Sequence, residues 1–118
     1  MQDFRNLEVW RVSHQLTLDV YLMTRSFPSD ERFGLISQLR RAAVSIEANL
    51  AEGCGRGSDA DFARFVQIAL GSASEVECEL LIAMDLRFVD AADHGPLQQA
   101  TQRIKRMLSS LLSKLRPS

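Results

Sequence analysis

The chain has 118 residues, 46% hydrophobic and 25% charged, with a formal net charge of −1 and a pI near 6.1. That size and balance suit one soluble domain with a buried core, and no apolar run approaches the roughly 18 residues that span a bilayer. Two cysteines, Cys54 and Cys78, exclude a disulfide framework or zinc site, and MQDFRNLEVW lacks a signal peptide's basic start and apolar stretch, so a cytoplasmic protein is expected.

In chain order, the first apolar series is Val9, Ser13, Leu16, Val20, Met23 and Phe27, in steps of three and four, with Trp10 and Tyr21 widening the face. That is a helical period. Pro28 stops it, and Ser29 is placed to cap the next helix with Asp30 and Glu31 at the positive end of its dipole. The second series is Ile36, Leu39, Ala43, Ile46 and Leu50, and it ends at Gly53, which closes a helix cheaply if its φ is positive. Ser58 starts a third helix, with Asp61 near its N-terminus and the stripe Phe62, Phe65, Ala69, Ala73, Val76, Leu80 and Ala83. After VDAADHGP, Pro96 suits a first helical turn, and the fourth stripe is Leu97, Ala100, Ile104, Leu108, Leu111 and Leu115. Four amphipathic segments with short joints predict an all-α, antiparallel up-down-up-down four-helix bundle, a single domain over residues 1–118.

The joint between the second and third segments reads GCGRGS. Its three alternate glycines invite a phosphate-loop reading, but a Rossmann turn needs a preceding strand and a Walker loop a following Lys-Ser/Thr. Neither is present. The stretch reads as a helix–helix joint.

Two rows of side chains stand apart from the core stripes. Gln38, Arg41, Ser45, Asn49 and Glu52 fall along one flank of the second helix, beside the small residues Ala42, Ala43, Ala48 and Ala51. Gly71, Ser74 and Cys78, leading to Ile82, form a small-residue row on the third, where a helical glycine costs about 1 kcal/mol relative to alanine. The first row reads as a seam for a partner subunit or a buried hydrogen-bond network, with a solvated face as the alternative, and the second as room for close packing of a neighbouring helix. A joint centred between Gly55 and Arg56 sets residue i opposite about 111 − i, which places Arg40 and Arg41 near Leu70 and Gly71 with Ser72 and Glu75 in reach. An Arg40 or Arg41 pair with Glu75 is therefore expected, within a subunit or across an interface.

Charge is unevenly spread. Residues 58–95 carry eight acids and two arginines, while residues 96–118 carry Arg103, Lys105, Arg106, Lys114 and Arg116 and no acid. This fits an acidic helix lying against a basic one, or a basic face for nucleic acid. No aromatics interleave the basic cluster to stack bases. The sequence nominates no catalytic group, cofactor or metal site. His14 and His94 do not follow a glutamate by three, as a di-iron bundle needs, and Glu75, Glu77 and Glu79 alternate around their helix. A non-enzymatic protein is expected, with a ligand or metal site between helices as a lesser alternative.

The stretches FRNLEVWRVSHQL, FPSDERFGLISQLRRAAVSIEANLAEGCGR and FVQIALGSASEVECEL, spanning about Phe4 to Phe88, resemble the four-helix-bundle family of 23S rRNA intervening-sequence proteins. The motifs are Leu35-x-x-Gln38-x-Arg40-Arg41-Ala42, Ser45-Ile46-x-x-Asn49-x-x-Glu52-Gly53 and Gly71-Ser72-x-x-Glu75. The resemblance implies a ring-shaped homo-oligomer, a pentamer, and kinship with the accessory protein of diversity-generating retroelements, which engages reverse transcriptase and nucleic acid. That accessory protein is strongly basic and this chain is not. The likeness carries over no catalytic residues. With the two rows read above, the expectation is a self-associating interaction or scaffolding module for RNA or a nucleic-acid-processing partner, with Gln38, Arg40, Arg41, Ser45, Asn49, Glu52, Gly71, Ser72 and Glu75 as oligomer or network contacts. The alternative is an RNA- or DNA-binding accessory protein that uses the basic fourth helix.

Overall fold

The three-and-four spacing of apolar residues becomes four helices in a computed structural model, which describes residues 2–116. They are α1 (Glu8–Thr24), α2 (Leu35–Cys54), α3 (Asp59–Asp85) and α4 (Ala91–Leu115), with single 3₁₀ turns at Phe4–Asn6 and Ser29–Glu31. No strand occurs among the described residues. Each helix packs against two neighbours, in the cyclic order α1, α2, α3, α4, and the backbones of the diagonal pairs α1–α3 and α2–α4 stay more than 8 Å apart between Cα atoms. His14 meets Glu47 while Thr24 meets Arg40, and Lys105 meets Glu77 while Arg116 meets Gln67. Partner numbers thus fall along one helix as they rise along the other, the order that oppositely directed neighbours give. The molecule measures 44 × 22 × 20 Å.

Each helix turns its stripe inward. Leu16, Val20, Leu39, Ile46, Leu50, Val66, Val76, Leu80, Ile104 and Leu108 are almost completely buried in one continuous cluster. Burying each large aliphatic side chain contributes roughly 1.5–3 kcal/mol, so these stripes decide the architecture. Buried hydroxyls do not disturb them. Ser13, Thr17, Thr24 and Thr101 each donate to the carbonyl four residues back in their own helix, and Thr17 also lies 3.2 Å from the carbonyl of Ala43 on α2.

Three expected boundaries change. Gly53 does not end α2 in a left-handed conformation; no described glycine has positive φ, and the helix runs one residue further, to Cys54. Its glycine is required by crowding: an added Cβ would stand 2.7 Å from Phe62 Cδ1 and 3.1 Å from Phe65 Cβ. Ser29 does not cap α2, because Ser29–Glu31 form their own 3₁₀ turn; the Glu31 carboxylate instead accepts from the amide of Leu35, the first helical residue. Pro96 lies inside α4 rather than in its first turn, since Asp90 caps the helix earlier by accepting from the Asp93 amide at 2.9 Å. Ser58 does cap α3, accepting from Asp61. α3 closes through Arg87, the one described non-glycine residue with positive φ, 63°.

Candidate interaction surface

The two flanks of α2 meet different neighbours, because successive residues are rotated by about 100° around a helix. Arg40 faces α1. Its Nε donates to Thr24 Oγ1 at 2.9 Å, and its guanidinium lies 4.4 Å from the centre of the Tyr21 ring. Lower on the same flank, His14 Nδ1 lies 2.9 Å from Glu47 Oε2, and Trp10 stacks on the imidazole with 4.9 Å between ring centres. Nothing in the spacing of these residues announced that cluster, which depends on the register between α1 and α2.

Arg41 lies on the other flank, with α3. The expected pair between Glu75 and Arg40 or Arg41 does not form among the described residues. Arg40 is turned away toward α1, and Arg41 stays exposed. The register also differs, although it brings Glu75 nearer the level of Arg41: Ser45, expected opposite residue 66, meets Ser72 at 2.8 Å. This slides α3 six residues from the expected alignment. Asn49 donates to the carbonyl and hydroxyl of Ser45, and Glu52 pairs with Arg56 at 2.8 Å. Arg56 also stacks over Phe65, so the glycine joint leaves its arginine engaged within the chain.

The structure brings Gln38, Arg41, Ser45, Ser72 and Glu75 together around a groove of about 360 Å³ between α2 and α3. Glu79, absent from the sequence expectation, completes it. This side chain is only 9% exposed, and its buried Oε1 has no hydrogen-bond partner among the described residues. Burial pushes its carboxyl above the ordinary carboxylate range, and the charge of Glu75 pushes the same way. The signal was legible: Glu75 and Glu79 are four residues apart and share a face, while Glu79 lies beside the core residues Val76 and Leu80. Glu77 projects to the opposite flank. There it accepts from Lys105 at 2.9 Å, and that bond is the main cause holding its carboxyl below the usual range.

Gly71, Ser74 and Cys78 lie on the solvent side of α3, and an added Cβ at Gly71 would meet nothing within 4 Å. Ile68, Leu81, Ile82 and Leu86 stand exposed around them, Ile82 at 42% and Leu86 at 54%. Cys54, by contrast, is buried, and burial is the first cause raising its thiol.

The basic cluster divides. Arg103 bonds Glu8 at 2.9 Å, Lys105 bonds Glu77, and Arg116 reaches Gln67 at 3.4 Å. Arg106 and Lys114 have no such partner among the described residues. They line a groove of about 410 Å³ between α1 and α4, over Leu7, Val9, Met107 and Leu111. Among the described residues no three His, Cys, Asp or Glu side chains converge to hold a metal ion, and no helix is long and apolar enough to cross a membrane.

The 23S rRNA-intervening sequence protein family matches residues 5–110, and the chain belongs to it. A solved structure from Bacteroides thetaiotaomicron, a protein with unknown function from the S23 ribosomal protein family, is similar to this chain. It is 25% identical with a TM-score of 0.80, covering 88% of this chain and 97% of that one. No curated protein matches the chain.

Proposed function

We infer that the chain is a non-enzymatic, self-associating bundle that serves as an interaction or scaffolding module, assembled as a ring of five copies. The observation that carries the reading is the outer face of α3. Ile68, Ile82 and Leu86 stand exposed there beside the exposed small residues Gly71, Ser74 and Cys78, and an added Cβ at Gly71 would meet nothing within 4 Å among the described residues. Small residues permit close approach of another helix, and clustered exposed apolar side chains mark interaction sites on soluble proteins. Light scattering across a range of chain concentrations tests it. The expected mass is a multiple of 13.2 kDa, fivefold for the ring; a single 13.2 kDa species at every concentration overturns the reading.

A second reading, nucleic-acid binding through α4, draws on Arg106 and Lys114, the two basic-cluster side chains without a bond among the described residues. Two phosphate contacts give a log–log salt slope of only about −2. A gel-shift titration at two salt concentrations measures it, and no shift at low salt removes this reading.

A further inference from the structure

The groove between α2 and α3 contains a carboxylate that the chain itself leaves unanswered. Glu79 is nine-tenths buried, lines the groove, and has an Oε1 with no partner among the described residues. An uncompensated buried carboxylate is expensive, and such groups are ordinarily paired with a cation. Glu75 adds a second negative charge on the same wall. Arg41, on the opposite wall, is exposed and lies within 4 Å of neither carboxylate.

The complement lies on the far side of the same molecule. In the cyclic helix order the α1–α4 seam is opposite the α2–α3 seam, and its groove presents Arg106 and Lys114, cations without a partner among the described residues. Glu8, the acid in that groove, is already held by Arg103. The two grooves also stand at similar heights along the bundle: Lys105, next to Arg106, bonds Glu77, which lies between Glu75 and Glu79.

We propose that the α2–α3 groove is a cation socket, completed when a second copy docks its α1–α4 groove there and places Arg106 or Lys114 of the partner subunit against Glu79 and Glu75. The contact is heterologous: each chain offers its socket to one neighbour and its cations to another. This rests on the self-association reading and names the faces that meet.

The experiment uses two neutralised variants, Glu75→Gln/Glu79→Gln and Arg106→Gln/Lys114→Gln, compared with the unaltered chain by sedimentation equilibrium. Each variant alone is expected to associate at least about tenfold more weakly. Mixed one to one, they are expected to give a species of twice the monomer mass, because one intact socket still meets one intact cation face. Arg106 and Lys114 are exposed, so their replacement leaves the core untouched, and circular dichroism checks the fold. If the unaltered chain associates and Arg106→Gln/Lys114→Gln associates equally well, the socket assignment is overturned while self-association stands. A monomeric unaltered chain removes both.

Discussion

Gly53 and Gly71 each lie within a long middle helix, in opposite surroundings. At Gly53 the chain has used the missing side chain: Phe62 and Phe65 of α3 occupy the space a Cβ would need. At Gly71 nothing occupies it. Polar groups divide in the same way. On the α1-facing flank of α2, Arg40 finds Thr24 and Glu47 finds His14. On the α3-facing flank, Glu79 keeps an oxygen without a partner. Demands met within the chain build its architecture, and demands left open point to something outside it.

The sharpest way to break this contrast is Gly53→Val. Overpacking against two buried aromatic rings should cost about 3 kcal/mol, read as a lower urea midpoint, and an unchanged midpoint would mean that the corner is not crowded. Next is Thr24→Val, which keeps the shape but removes the acceptor for Arg40. A loss of about 1.5 kcal/mol is expected, with the same Arg40→Gln change costing less in the Thr24→Val background than alone. Glu79→Gln should act in the opposite direction. Extrapolated to zero chain concentration, it should stabilise the fold by about 1 kcal/mol at pH 7. Because the Glu79 carboxyl is held above its ordinary value, its favourable share is complete below the unfolded value and fades as pH climbs through the folded one. The advantage of the glutamine variant should therefore open as pH rises above about 4.3, and a pH-independent difference would contradict it. Smallest is Gly71→Ala, which should raise helix stability by about 0.7 kcal/mol in the dilute chain while weakening association measured by light scattering. A gain with no change in association would show that the outer row meets no neighbour.

The helices and their buried stripes were legible because a period of three and four follows directly from helix geometry, and Leu39, Ile46, Val76 and Leu80 lie where it places them. The limit came where two helices must be aligned. A joint length fixes register only coarsely, and the six-residue slide separating Ser45 from its expected neighbours shifts the pairing of α2 with α3. Arg40 and Arg41 required no register to be told apart: adjacent positions point about 100° apart and belong to different seams. Glu79 was readable as well, from its position between the core stripe and Glu75. Gly53 was not, since its reason lies in two rings brought over it by tertiary packing. Pro96 shows local preference giving way to a stronger signal, the earlier cap at Asp90.

With the socket and the cations on opposite seams, two docked chains still present one empty socket at one end and one bare cation face at the other. Growth therefore has no natural stopping point at a pair, and halts only when the last subunit bends round to the first. Subunit number then becomes a question of wedge angle, about 72° of turn per chain for closure at five. Small tilts of α4 against α3 would change the size of the circle without altering a single contact residue.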